Sequence, residues 1–259
     1  MACYVMSDIH GCFHEFCEML EVIRFSPKDE LILAGDYIDR GEDTLDMLCW
    51  IEKCPKNVLL LRGNHEEEFL GYIDLLKTMA LQWNQSPDES SYRDAKSLYA
   101  YTNAYATRKL IDFDGYDTIR HLIEKDRFTM GDLYEYAGLF WNLPYYIERT
   151  VSGRNYLIVH AGYTECHKLD THEFNRYCLY AREDAYHNGG KPGTTVIAGH
   201  TPTTAKDYFA YTGGEVFYTC SCADDKRFYD IDCGCVFRKR KGYGKLACIR
   251  LEDEKIFYV

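Results

Sequence analysis

The chain has 259 residues, of which 46% are hydrophobic and 27% charged, and its formal net charge is −11. This composition is that of a globular protein rather than a disordered one, and the acidic balance disfavours non-specific binding to nucleic acid polymers or anionic membranes. No apolar run approaches the roughly 20 residues of a membrane-spanning helix. Because the N-terminal stretch lacks a basic signal region and the 12 cysteines are taken as reduced thiols, we expect a cytoplasmic protein.

The first third of the chain alternates apolar runs with segments of helical period. The apolar runs end in polar residues and are "CYVMSDI", "DELILAGDYI" and "NVLLLRGNHE"; the helical segments between them are "CFHEFCEMLEVIRF" and "TLDMLCWIEKC". This alternation predicts βαβ units and a partly parallel sheet. In such sheets ligands bind at the carboxyl ends of the strands, where the polar residues stand.

The middle and last parts of the chain differ in pattern. A Tyr- and Leu-rich stretch at about 70–142 predicts a helical insertion that packs over the sheet edge and has a secondary role in substrate access. Beyond it, strand patterns predict a hairpin around Ser152 and Gly153 and a second, largely antiparallel set of strands. Without a flexible linker or internal repeat, we expect one domain over 1–259.

Five polar clusters directly follow apolar runs. They are "SDIHG" (7–11), "GDYIDRG" (35–41), "RGNHE" (62–66), "VHAG" (159–162) and "AGHTP" (198–202). A single strand-end histidine is more often a hydrogen-bonded structural residue, but five such clusters in series are a strong signal. Imidazole and carboxylate at this density suit divalent manganese, iron or zinc. The clusters therefore predict a metal centre.

The motifs "GDYIDRG" and "LLLRGNHE" carry a family resemblance. The sequence resembles the calcineurin-like metallophosphoesterase superfamily and, within it, bacterial and phage serine/threonine phosphatases of the phosphoprotein phosphatase branch. The resemblance covers roughly 1–70 and 143–259. It implies an α/β fold, a four-layer α/β/β/α sandwich of two mixed sheets, here with a helical insertion.

The resemblance also implies two divalent metal ions per chain, with manganese as first choice and iron or zinc as alternatives. The first metal would be held by Asp8, His10 and Asp36. The second would be held by Asp36, Asn64, His160 and His200. A water or hydroxide bridging two such ions can attack phosphorus in line, because the ions lower its pKa.

Further residues match the family's catalytic positions. His65 would protonate the leaving alkoxide, and Asp39 would orient its imidazole. Arg40, Arg62 and Arg182 would bind the phosphate oxygens, since a planar guanidinium can hold two oxygens at once. The segment "LYARED" around Arg182 has a tyrosine where the family has tryptophan. Glu66 is expected to support its loop rather than to bind metal.

The expected reaction is hydrolysis of phosphomonoesters, with phosphorylated Ser or Thr side chains of proteins, and also Tyr, as first-choice substrates. The alternative is a dinucleoside polyphosphate such as diadenosine tetraphosphate, because both reactions need the same metal pair. A hypothesis of another class is a non-catalytic scaffold that binds a phosphorylated partner, which would bind no metal.

Two other features have a structural interpretation. The Cys-x-Cys pairs 220/222 and 233/235 are expected to be buried small side chains rather than a zinc site. The basic run 238–245 is expected to be a solvated hairpin loop.

Overall fold

The computed structural model describes residues 1–83, 87–109, 116–165, 169–187, 190–205, 207–208, 213–221, 225–238 and 243–259. Within these ranges the chain forms two five-stranded mixed sheets and eight α-helices. No described helix combines the length and the apolarity needed to cross a bilayer. Cys222 and residues 239–242 lie outside the described residues. The expected burial of Cys222 and the expected hairpin loop at 238–245 therefore stay predictions. Cys220 is exposed, contrary to expectation, whereas Cys233 and Cys235 are buried as expected.

The first sheet has the predicted βαβ organisation. Its strands are β1 (Cys3–Met6), β2 (Glu30–Leu33), β3 (Val58–Leu60), β9 (Ala247–Arg250) and β10 (Lys255–Tyr258), and the helices α1 (Phe13–Val22) and α2 (Thr44–Glu52) connect the first three. The strand order is β10-β9-β1-β2-β3, with β1, β2 and β3 parallel and β9 antiparallel to β1. The carboxyl ends of the three parallel strands therefore meet at one edge.

The second sheet has more parallel pairing than predicted. Its strands are β4 (Tyr146–Val151), β5 (Arg154–Val159), β6 (Thr194–Ala198), β7 (Phe217–Ser221) and β8 (Lys226–Asp230), in the order β4-β5-β6-β8-β7. The predicted β4–β5 hairpin is confirmed, but β5, β6 and β8 are mutually parallel, so the largely antiparallel expectation was wrong. The reason is a crossover through α7 (Thr171–Tyr180) and α8 (Glu183–His187), which places β6 parallel to β5.

Four helices lie between β3 and β4. They are α3 (Asn64–Gln82), α4 (Tyr92–Lys109), α5 (Tyr116–Glu124) and α6 (Met130–Phe140), and α3 packs against the other three. The helical segment thus begins at Asn64, earlier than the predicted residue 70. Asn64 and His65 therefore stand in the first turn of α3.

The strand alternation explains the layers. Tyr4 and Met6 of β1 pack against the helices, whereas Val5 points into the core between the sheets. In β5, Ile158 faces the same inter-sheet core, and Leu157 packs in a third cluster with residues of α7 and α8. Because successive strand residues point to opposite faces, each sheet is covered on both sides. The expected α/β/β/α sandwich is confirmed.

Candidate active site

The loops after the strands hold many site residues in an uncommon backbone conformation. Positive φ angles of 47–71° occur at Asp8, His10, Asp36, Asp39, Arg40 and His200. Asp and His are among the non-glycine residues that tolerate this region best, and such conformations concentrate at functional sites. The loops also pair by backbone, since His10 N donates to Asp36 O at 2.8 Å. The side chains are thereby turned toward a common centre.

One donor set lies at the ends of β1 and β2. His10 Nε2 is 3.4 Å from Asp36 Oδ2 and 3.9 Å from Asp8 Oδ1. Asp8 Oδ2 accepts hydrogen bonds from Ser7 Oγ at 2.5 Å and from the His200 backbone N at 3.0 Å. Asp8 Oδ1, by contrast, is buried and has no hydrogen-bond partner among the described residues. An unsatisfied carboxylate oxygen beside an imidazole nitrogen fits a cation ligand.

A second donor set shares Asp36. Asn64 Oδ1 lies 2.9 Å from both His160 Nε2 and His200 Nδ1, which are 3.2 Å apart. His160 Nε2 is also 3.5 Å from Asp36 Oδ1. Asp36 therefore offers one oxygen to each set, as a carboxylate that bridges two metal ions would. The structure brings together all six residues predicted as ligands.

Backbone carbonyls orient two of the imidazoles. His10 Nδ1 is 2.9 Å from Ile38 O, and His160 Nδ1 is 3.0 Å from Ala34 O. Because a carbonyl can only accept, each Nδ1 carries a proton, and in the neutral tautomer this leaves the Nε2 lone pair for a metal ion. This outer support is typical of metal-binding histidines.

The electrostatic surroundings favour the protonation states in which these side chains can bind a metal ion. Burial lowers the pKa of His10 and of His200 well below the usual value, so both imidazoles are neutral near pH 7. Burial would raise the pKa of Asp36, but attraction to the four surrounding histidines, led by His160, outweighs it and lowers that pKa. Neutral imidazoles at His10 and His200 beside an anionic Asp36 carboxylate are the forms that bind divalent cations.

His65 and Asp39 form the predicted pair. His65 Nδ1 is 2.7 Å from Asp39 Oδ2, and both side chains are buried. Burial lowers the pKa of His65, but Asp36 and the hydrogen bond to Asp39 outweigh it and raise the pKa to about 9. His65 Nε2 has no hydrogen-bond partner among the described residues. It lies 3.9 Å from Asp36 Oδ2, and the ligand atoms of His65, His10 and Asp36 all lie within 4.8 Å of one another.

Of the three predicted arginines, Arg40 contacts the first donor set, and Arg182 contacts the residue that follows His200. Arg40 Nη1 lies 2.9 Å from His10 Nε2. Arg182 Nη1 donates to Thr201 Oγ1 at 3.3 Å, directly beside His200.

Arg62 has different surroundings. Its Nη1 donates to Glu67 Oε2 at 2.8 Å and to Tyr145 Oη at 3.1 Å, and its Nη2 donates to the carbonyls of Phe140 and Trp141 at the end of α6. These contacts tie the end of β3 to the helices, and phosphate binding by Arg62 stays a prediction.

Glu66 supports the loops as expected. Its carboxylate accepts hydrogen bonds from the backbone N atoms of Asp36 and Gly63, both at 2.9 Å, and of Tyr37 at 2.8 Å. It is fully buried. Its oxygens are thus occupied by backbone donors.

Sequence reasoning missed three buried residues at this site. Asp230 and Asp232, in "DIDCG" at the end of β8, have pKa values raised well above the usual range, first by burial and then by neighbouring carboxylates that include Asp8. The signal was available, because these residues also follow a strand. Thr118 of α5 hydrogen-bonds to Asp39, and no sequence motif marks it.

Comparison with known proteins places the chain in a family. The family described as calcineurin-like phosphoesterase matches residues 1–227. Among solved structures, a candidate diadenosine tetraphosphatase aligns with a TM-score of 0.55 at 17% identity, over 100% of this chain and 92% of that chain. A metallophosphoesterase from Sphaerobacter thermophilus gives 0.52 at 14% identity, over 100% and 87%. At these identities the likeness supports the fold alone.

Curated relatives match a shorter segment. The symmetrical bis(5'-nucleosyl)-tetraphosphatase of Wigglesworthia glossinidia brevipalpis is 45% identical over 71 residues, which is 27% of this chain and 26% of that protein. Its namesake from Methylobacillus flagellatus is 38% identical over 87 residues, 32% and 31% of the two chains. The matched segment thus spans about a third or less of each of these relatives. Their names contradict the first-choice prediction of a phosphoprotein substrate and agree with its alternative.

Proposed function

From the premise that the chain belongs to the calcineurin-like phosphoesterase family, we propose that it is a hydrolase of dinucleoside polyphosphates such as diadenosine tetraphosphate. The observation that carries the chemistry is the pair of donor sets joined by Asp36. The substrate class follows the relatives named as symmetrical tetraphosphatases. Symmetrical hydrolysis would add one water across the central P–O–P linkage and release two nucleoside diphosphates.

The donor sets fit two divalent cations. Asp8, His10 and Asp36 would hold one, and Asp36, Asn64, His160 and His200 the other. The fit rests on Asp8 Oδ1, which has no hydrogen-bond partner within the described part of the chain, and on three donors of the second set that lie within 3.2 Å of one another. Such a pair of ions lowers the pKa of a bound water and neutralises phosphate charge. The mixed nitrogen and oxygen ligands suit manganese, our first choice, and also iron or zinc.

Three side chains of this protein would act on the polyphosphate. Arg40 and Arg182 are placed beside the two donor sets, where their guanidinium groups would bind phosphate oxygens. His65 would donate a proton from Nε2 to the leaving oxygen. In a dinucleoside polyphosphate this leaving oxygen belongs to a phosphate with a second pKa of about 6. Proton donation is therefore less demanding than for the alkoxide first expected.

The rim of the site offers a surface for a nucleobase. Tyr208 is 41% exposed, and the Arg182 guanidinium carbon lies 5.5 Å from the centre of its ring. Nucleobases stack on exposed aromatic rings and on guanidinium planes. A base held on Tyr208 would leave its phosphates near Arg182 and His200. This placement supports a nucleotide substrate.

The test is product analysis with purified protein and Mn²⁺. Anion-exchange chromatography of diadenosine tetraphosphate digests should show adenosine diphosphate as the product, and a phosphoserine peptide assayed in parallel should be turned over much more slowly. Parallel assays with Fe²⁺ and Zn²⁺ show which of the three metal ions supports the fastest turnover. Release of adenosine triphosphate and monophosphate would refute symmetrical cleavage. Absence of both bound metal and turnover would support the scaffold hypothesis instead.

A further inference from the structure

The Asp39 carboxylate is held from two sides by side chains distant in sequence. Oδ2 lies 2.7 Å from His65 Nδ1. Oδ1 accepts a hydrogen bond from the backbone N of Thr118 at 2.8 Å and a second one from Thr118 Oγ1. Thr118 Oγ1 in turn accepts from the backbone N of Asp39 at 3.0 Å. The contact between Asp39 and Thr118 is thus reciprocal.

Thr118 belongs to the four-helix segment that lies between β3 and β4 in the chain. It stands in the first turn of α5, where unpaired backbone N–H groups and the helix dipole favour a carboxylate. Thr118 is 1% exposed, and Asp39 is 2% exposed. Asp39 has a φ of 67°, so its loop is in a conformation that surrounding contacts must hold. The helix supplies such contacts.

We infer that Thr118 is a positioning residue for the proton donor His65 and acts through Asp39. With Oδ1 held by two donors, the Asp39 carboxylate cannot rotate without breaking them, and Oδ2 stays directed at His65 Nδ1. That bond keeps the proton on Nδ1 when the imidazole is neutral and keeps Nε2 facing the first donor set. A buried aspartate orients the imidazole in the same way in Ser-His-Asp triads. The helical segment is therefore part of the proton-donating apparatus as well as a cover for the sheet.

This inference rests on the proposed proton-donor role of His65, and its test separates the two. Thr118→Val keeps the side-chain shape but removes the hydroxyl, and Thr118→Ser keeps the hydroxyl. Thr102→Val is the matched control, because Thr102 is fully buried in the same helical segment and its hydroxyl has no hydrogen-bond partner among the described residues. Circular dichroism and metal content should be unchanged in all three variants.

The first readout is spectroscopic and needs no turnover. In metal-free protein, the proton on His65 Nδ1 should give a downfield NMR resonance, identified by its loss in His65→Asn. We expect this resonance to move upfield or broaden in Thr118→Val and to persist in Thr118→Ser and Thr102→Val. An unchanged resonance in Thr118→Val would overturn the inference. Equal changes in the Val and Ser variants would also overturn it, since both would then act through packing.

The second readout is kinetic. Misplacing a general acid costs on the order of 10- to 100-fold in turnover. We expect Thr118→Val to lower kcat by about that factor on phenyl phosphate, because its leaving phenol has a pKa near the tyrosine value of about 10 and needs a proton. On p-nitrophenyl phosphate, whose leaving phenol is more acidic, kcat should fall by less. KM should be unchanged for both esters. Equal losses on both esters would overturn the inference. If wild-type protein hydrolyses no dinucleotide, the proposed function is wrong. The His65 Nδ1–H resonance still tests whether Thr118 positions His65 through Asp39.

Discussion

Gly63 packs directly against Asp36, the residue shared by both donor sets. A Cβ atom on Gly63 would lie 2.2 Å from Asp36 Oδ1 and 2.3 Å from its backbone N. The φ of Gly63 is −96°, which any residue adopts. Space, rather than a left-handed backbone, is therefore what requires glycine here.

Gly63→Ala should destabilise the protein and displace Asp36. Overpacking of this kind costs typically about 1–3 kcal/mol, and we expect a lower thermal midpoint together with reduced metal binding. Gly138→Ala is the control, because a Cβ there meets no atom within 4 Å inside α6. That variant should gain about 0.5–1 kcal/mol from helix propensity. A Gly63→Ala protein as stable as wild type would contradict the close packing.

His160→Ala should remove a ligand of the second donor set. We expect about two ions per chain in wild-type protein and about one in the variant, measured by elemental analysis after dialysis. Turnover should fall by more than the roughly 10- to 100-fold that loss of an outer partner of a ligand costs. His172→Ala, at an exposed position of α7, should match wild type in both measurements. Full metal content in His160→Ala would show that His160 is not a ligand.

His65→Asn should retain its metals and lose turnover in a manner that depends on the leaving group. A general acid contributes about 10²–10⁴-fold, so the loss should be large on phenyl phosphate and smaller on diadenosine tetraphosphate. Steady-state kinetics on both substrates, with His14→Asn as an exposed control, measure this difference. If the variant loses metal instead, His65 is a ligand together with His10 and Asp36, a grouping that their distances also permit.

Arg62→Ala should mainly lower stability, whereas Arg40→Ala should mainly weaken substrate binding. Removing Arg62 deletes its hydrogen bonds to the carbonyls of Phe140 and Trp141, and each such bond contributes about 0.5–1.5 kcal/mol to stability. The thermal midpoint should fall while KM changes little. Arg40→Ala should instead raise KM with little change in the midpoint. A raised KM and an unchanged midpoint for Arg62→Ala would support the predicted phosphate binding by Arg62.

Tyr208→Ala should weaken binding of the dinucleotide. Base stacking on an aromatic ring contributes about 1–3 kcal/mol, so KM for diadenosine tetraphosphate should rise roughly 5- to 150-fold, while Tyr208→Phe keeps the wild-type value. Tyr101→Ala, at an exposed tyrosine of α4, is the control. An equal rise in KM for p-nitrophenyl phosphate, which has no nucleobase, would argue against stacking.

Much of the site could be predicted because it is encoded locally. Asp8, His10 and Asp36 each follow an apolar strand, and parallel strands bring their carboxyl ends to one edge whatever the details of packing. The two-residue period of the strands likewise predicts which residues face each layer. The substrate class was mispredicted because phosphomonoester and polyphosphate hydrolysis need the same donors, so the motifs alone do not distinguish them.

By itself the sequence predicted a cluster of candidate metal ligands, because these residues follow apolar strands. Its resemblance to the family implied the His65–Asp39 pair and the sandwich of two sheets. Only the tertiary structure decided that Arg62 contacts the end of α6 and that Thr118 holds Asp39 across 79 positions of the chain. The physical reason is that these contacts depend on how the helices dock on the sheet. Docking is set by the packing of many apolar side chains together, which no short motif records.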